Sequence, residues 1–163
     1  MVYFLRSFLD NINIMKILLQ IFLISIILLS SLGAQKPFLA EEEVVRLCNN
    51  LRIEQGLPPL ACNWEVASVA RHRTEDMMAH SYFGHDSPVY GCVFDMLKNF
   101  NIKYNTAGEN IAAGFASPQA VVDAWMAQPN HRMNIMSTNF NQVGVGYSND
   151  GTSYYWALIL LGD

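Results

Sequence analysis

The 163-residue chain is 52% hydrophobic and 15% charged, with a net charge of −4. Its basic residues form no block or stripe, so the electrostatic footprint of a nucleic-acid binder is missing. Three cysteines, Cys48, Cys62 and Cys92, include no Cys-x-x-Cys pair, which removes zinc-knuckle and thioredoxin-type readings.

The first element is a leader. Ile17 to Leu29 is almost unbroken Ile, Leu and Phe, preceded by Lys16 and followed by Ser30-Ser31-Leu32-Gly33-Ala34. A basic start, an apolar centre and a small-residue exit describe a secretory signal, with cleavage expected near Ala34. Met15 offers an alternative start, with residues 1 to 14 as an upstream extension. The competing reading is an uncleaved membrane anchor, since Ile12 to Leu32 approaches the ~20 residues that span a bilayer. Asn13, Lys16 and Gln20 count against it. Residues 1–34 are therefore assigned as the signal peptide and 35–163 as one domain, within the usual size of about 100–150 residues. Without Arg6, Lys16 and Asp10 that domain keeps 8 basic and 13 acidic residues, a net charge of −5. In an exported chain disulfides persist, and Cys48–Cys62 would close a short loop worth roughly 3 kcal/mol in the chain-entropy picture. The alternative is three buried thiols acting as small apolar residues.

From Ala40 the spacing predicts a helix, with Glu41, Glu42 and Glu43 at the positive end of its dipole and Val44, Leu47, Cys48 and Leu51 as its inward stripe. Gly56 and Pro58-Pro59 end it. Asn63 suits the N-cap of a second helix, Trp64 to about Ala79. Val66, Val69, Ala70, Met77 and Met78 make its apolar side, with Arg71, Arg73, Glu75 and Asp76 expected to point elsewhere. His80 and His85 lie five apart, about 140° around a helix, so they cannot share one face. His80 belongs to the last helical turn, where a ring donor suits the free carbonyls, whereas His85, after Gly84 and before Ser87-Pro88, is free to project into a cleft. A short third helix is expected from Cys92 to Phe100, then an extended Ile102 to Asn105 leading into a turn at Gly108-Glu109-Asn110. Ser117-Pro118 opens a fourth helix by N-cap and N1 preference, with Ala120, Val121, Ala124 and Trp125 inward and Pro129 closing it. Asn130 to Met136 adds one or two turns. Val143 to Tyr147 alternates, Asp150-Gly151 is turn chemistry, and Tyr154 to Leu161 is apolar, which predicts an antiparallel hairpin. Helices early and strands late make the class α+β.

Within this order Thr106-Ala107-Gly108-Glu109-Asn110-Ile111-Ala112-Ala113-Gly114 stands out, because it sets one carboxylate among glycines and small apolar residues. An acid in such a place is paired, ligates a cation or accepts backbone hydrogen bonds. His85 and His131 are its candidate companions, and the alternative is a structural acid tying down a turn.

Five stretches in this order resemble the CAP superfamily, the cysteine-rich secretory, antigen 5 and pathogenesis-related 1 proteins, in their short secreted bacterial branch. They are Asn50-Leu51-Arg52 with Gly56-Leu57-Pro58-Pro59-Leu60, Tyr82-Phe83-Gly84-His85-Asp86-Ser87-Pro88, Gly108-Glu109-Asn110-Ile111-Ala112, Trp125 to Ile135, and Val143-Gly144-Val145-Gly146. The resemblance covers roughly residues 41 to 161. It implies an α-β-α sandwich with a small antiparallel sheet between helical layers, and a cleft lined by two histidines and two acids. Motif by motif, the histidines are His85 and His131 and the first acid is Glu109. The second acid does not carry over: Gln128 stands in its neighbourhood, able to hydrogen-bond but not to take a proton or neutralise a cation.

Two functions follow as expectations. One is a secreted, non-enzymatic binding module whose cleft, with His85, Glu109, His131, Gln128 and Asn110, holds a small molecule, a lipid or a divalent cation, or meets an extracellular or cell-envelope protein. The other is a metal-dependent hydrolase, peptidase-like, with His85, Glu109 and His131 as an open zinc site and Glu109 as general base. Membrane association is expected only through an uncleaved leader. Ser81, Ser87 and Ser137 lack a nucleophile-elbow context and Cys92 lacks papain-type flanks, so nucleophilic catalysis has no support.

Overall fold

The structure is a computed structural model that describes residues 15–22 and 38–163. Residues 15–22 are helical, within a unit separate from the domain that begins at Pro37. The proposed cleavage site and upstream extension lie outside the described residues. No helix among the described residues is long and apolar enough to cross a membrane.

The domain runs α1 (38–54), β1 (Ala61–Cys62), α2 (Trp64–Ala79), α3 (Val93–Asn99), β2 (Thr106–Ala113), α4 (Pro118–Ala127), α5 (Pro129–Met136), β3 (Gln142–Asn149) and β4 (Tyr154–Gly162). The caps behave as their side chains dictate. Asn63 accepts from the N–H groups of Glu65 and Val66, and Ser117 from that of Ala120, each satisfying donors that a helix start leaves free. The β3–β4 hairpin turns where Asp150 Oδ1 accepts from the Thr152 and Ser153 amides.

The four strands are ordered β1-β3-β4-β2, with β2 at an edge. β2–β4 and β3–β4 are antiparallel, but β1 joins β3 in parallel, so the expected antiparallel sheet is mixed at one margin. Two residues are too few for a periodic signal, which is why β1 is invisible in the sequence. Strand β4 is buried on both faces, and its alternation divides the core. Trp156, Leu158 and Leu160 pack with Val44 and Cys48 of α1 and Val121 and Trp125 of α4, whereas Ala157, Ile159 and Leu161 pack with Val66, Val69 and Met77 of α2 and Met96 and Leu97 of α3. This is an α+β protein with a sheet between helical layers. On β3, Val143 and Val145 face the α1 side, while a Cβ on Gly144 or Gly146 would come within 2.2 Å of the α2 backbone. The Val-Gly alternation lets α2 lie directly on the strand.

Three local expectations are corrected. Gly108-Glu109-Asn110 is not a turn but the middle of β2, because Gly108 is small for packing, with a Cβ there falling 2.9 Å from Phe140, and only Gly114, at φ +86°, turns the chain. Arg73 and Asp76 do not point away from the core of α2: they are 0% and 5% exposed, and Met78 is only half-buried. Glu41 does more than face a helix dipole, since it reaches Arg71 at 2.5 Å and the Tyr147 amide at 3.1 Å and ties α1 to α2 and β3. All three cysteines are free, with Cys48 buried, Cys92 half-buried and Cys62 exposed.

Candidate functional site

The site is assembled across strand β2. Successive strand residues point to opposite faces of a sheet, so Glu109 faces the α2 layer and Asn110 the α5 layer. Each holds one histidine-bearing segment. Glu109 Oε2 lies 2.7 Å from His85 Nδ1, and the Asn110 amide donates to the His131 carbonyl at 3.0 Å.

On the α2 side, the segment carrying His85 is held by the two buried charges of the helix. Arg73 Nε meets Glu109 Oε1 at 3.1 Å and its Nη2 meets Oε2 at 3.4 Å, while the same guanidinium donates to the carbonyls of His85 and Gly91. Three residues on, one turn along the same face, Asp76 accepts from the Tyr82 and Ser87 hydroxyls. Ser87 Oγ in turn accepts from the Val89 and Tyr90 amides, and Ser87 and Gly91 bond reciprocally through their backbones. Burial pushes the Asp76 carboxyl up, but the Ser87 and Tyr82 hydroxyls and nearby His80 outweigh it and hold the group below the ordinary carboxylate range. His80 remains with its helix, Nδ1 on the Asp76 carbonyl.

An ionised carboxylate can only accept, so His85 Nδ1 is the donor to Glu109 and Nε2 is left for the cleft. The Glu109 hydrogen bond raises the His85 pKa above its ordinary value, over the opposing effects of burial and of Arg73. On the other side of β2 the side-chain contacts of Asn110 are neutral. Asn134, one turn along α5 from His131, donates to Asn110 Oδ1 at 2.8 Å and to the Glu109 carbonyl at 3.4 Å. Arg52, fully buried in α1, donates to the Ile135 and Ser137 carbonyls and so holds the C-terminal end of α5. His131 Nδ1 is buried with no hydrogen-bond partner among the described residues. Burial, and then the nearby His85, push the His131 pKa down.

The two rings line one cleft of about 270 Å³, together with Phe83, Ile111–Ala113, Phe115, Trp125 and Gln128. Sequence reasoning named His85, Glu109, His131, Asn110 and Gln128. The structure sets the two histidines and Gln128 on the cleft wall, and Glu109 and Asn110 beneath it, 8% and 0% exposed. Both Glu109 oxygens are engaged, and among the described residues no three His, Cys, Asp or Glu side chains come within reach of one metal ion. A cation would find two imidazoles here, against three protein ligands in an open catalytic zinc site.

Arg73 and Asn134 escaped the sequence reading. A signal for Arg73 exists: Val66, Val69, Ala70, Arg73 and Met77 recur at helical spacing, so the position belongs to the inward stripe even though its charge suggests solvent. Asn134 carries no such signal, because its importance depends on β2 lying under α5.

The family model described as the cysteine-rich secretory protein family, CAP, matches residues 45–160. This chain belongs to the CAP family. It is 48% identical over 112 residues to YkwD, an uncharacterised protein of Bacillus subtilis (strain 168), covering 69% of this chain and 44% of that one. Among solved structures, an extracellular protein containing an SCP domain from Bacillus anthracis matches with a TM-score of 0.75 and 30% identity, over 80% of this chain and 42% of that one. An outer surface protein of Borrelia burgdorferi shares the fold, with a TM-score of 0.67 and 17% identity over 72% of this chain and 88% of its own. The chain thus spans less than half the length of YkwD and of the Bacillus anthracis protein.

Proposed function

We propose that this CAP domain is an exported binding module without enzymatic activity of its own, whose His85–His131 cleft receives a small molecule, a lipid or a divalent cation. The state of Glu109 carries the reading. A general base needs a carboxylate within reach of a proton to abstract, whereas Glu109 lies beneath the cleft with its oxygens on Arg73 and His85. Gln128, on the wall, has no carboxylate to offer in its place.

A cation in the cleft would be held by His85 and His131 with water completing its shell, and would act as a Lewis acid toward a bound oxygen. Glu109 would then stand behind His85, fixing the ring and its tautomer as carboxylates behind metal-bound histidines do. Export is supported by the Lys16–Ala34 leader pattern and by the likeness to a protein described as extracellular. An extracellular or cell-envelope protein is the matching class of macromolecular partner.

Three measurements test the proposal. A broad peptide library is expected to show no turnover with or without zinc; turnover that a chelator abolishes, zinc restores and Glu109→Gln removes would replace the module with a metal-dependent hydrolase. Zinc calorimetry beside His85→Ala and His131→Ala tells a cation from the other ligands, since heat lost in both variants marks a metal held by the pair. Mass spectrometry of the protein in the culture medium is expected to find an N-terminus near Ala34, and a full-length membrane-retained form would mark an uncleaved anchor instead.

A further inference from the structure

The cleft runs along the outer edge of β2, and part of that edge is unpaired. In the β2–β4 ladder the even-numbered β2 residues exchange hydrogen bonds with β4, as the Gly114 amide bonding the Tyr154 carbonyl at the end of the register makes plain. Backbone groups at the odd positions therefore point away from the sheet. Two of the outward carbonyls are covered by the neighbouring helices: that of Glu109 accepts from Asn134, and that of Ile111 from the Trp125 indole at 3.2 Å. The outward N–H of Ile111 and both outward groups of Ala113 have no partner among the described residues, and both residues line the cleft.

An unpaired strand edge is a template for another strand, and proteins ordinarily blunt or cover it. Here the cover stops where the cleft begins. The flanking residues are Ala112, Ala113 and Gly114, and nothing lies within 4 Å of where a Cβ on Gly114 would stand. A backbone can approach there. A lipid chain in the same cleft would shut these amide and carbonyl groups away from water without giving them partners, which the chemistry of the peptide group penalises.

We infer that the cleft takes an extended peptide, which pairs its backbone with the Ile111 N–H and the two outward groups of Ala113 on the edge of β2, between the rings of His85 and His131. This rests on the reading of the cleft as a binding site and names its ligand class. The backbone supplies affinity, and side chains facing Phe83 and Phe115 favour apolar residues at alternate peptide positions. A cleft of about 270 Å³ admits a short segment of a partner rather than a folded surface.

The test uses the purified full chain and a displayed library of random twelve-residue peptides. A recovered peptide is resynthesised with alternate backbone amides N-methylated in each of the two registers, and is also measured against Ala113→Pro, which removes one outward N–H at an edge position that tolerates proline. Methylation in one register is expected to weaken binding at least about fivefold, as loss of a backbone hydrogen bond does, with little change in the other. Ala113→Pro should weaken it similarly, and the Ile111 and Ala113 amides should gain hydrogen-exchange protection in the complex. The methylated peptides leave the protein untouched, so they decide the matter even if the proline variant misfolds. A peptide that binds equally well in both methylated forms overturns the backbone dock while leaving the cleft a binding site. Recovery of no peptide, with zinc still displacing the His85 and His131 resonances, overturns the dock and spares the module. Loss of both signals removes the dock and the module together.

Discussion

The two faces of β2 solve one problem by different chemistry. Glu109 holds the His85 segment through a buried ion pair with Arg73, while Asn110, the next residue, holds the His131 segment through uncharged amide bonds to His131 and Asn134. The histidines diverge accordingly, with the His85 pKa raised by its carboxylate and that of His131 lowered by burial. Glu109 thus favours the proton on the ring it touches, while burial and the nearby His85 favour the neutral form of the other ring.

The largest effect comes from breaking the charged face. Arg73→Met strands a buried carboxylate and should lower stability by about 3–5 kcal/mol in urea denaturation, and adding Glu109→Gln should recover part of the loss. On the neutral face, Asn110→Ala leaves a carbonyl and an amide unpaired and should lose about 1–3 kcal/mol by the same measurement. Equal losses in the two variants would erase the distinction between the faces.

Titration sharpens the comparison without removing a core group. In NMR, His85 should titrate above and His131 below the ordinary value of about 6.5, and Glu109→Gln should bring His85 down while moving His131 much less. The linkage signs are opposite. A raised folded pKa makes the His85 contribution to stability complete below the unfolded value and lost as pH climbs through the folded one. A lowered folded pKa makes that of His131 complete above the unfolded value and lost as pH falls through the folded one. His85→Gln and His131→Gln should therefore tilt the stability–pH profile in opposite directions on either side of about 6.5. The smallest effect is expected at the exposed rim, where Gln128→Glu places a carboxylate on the cleft wall shared with His131 and should raise the His131 pKa slightly, solvent and salt screening most of the charge.

Much of the architecture was legible residue by residue. Asn63 and Ser117 cap the helices they were expected to cap, Asp150-Gly151 turns the hairpin, and the stripes of α1 and α4 face inward at Val44, Cys48, Val121 and Trp125, with Val122 added. Such signals are local: a cap, a turn or an apolar period acts within a few residues of itself. The glycines around Glu109 misled because their frequent use in turns hid the tight packing of Gly108 against Phe140.

What the sequence determined by itself was the set of elements and the presence of one acid and two histidines in segments where side chains of that kind are rarely idle. Tertiary structure alone decided what they do to one another. Strand alternation sent Glu109 and Asn110 to opposite faces, α2 brought Arg73 to the carboxylate, and the edge position of β2 left the Ala113 backbone open to the cleft. Those pairings join residues up to 36 positions apart, and no local propensity can specify which partner a buried charge will find, because the burial that makes the partner necessary exists only once the layers have closed.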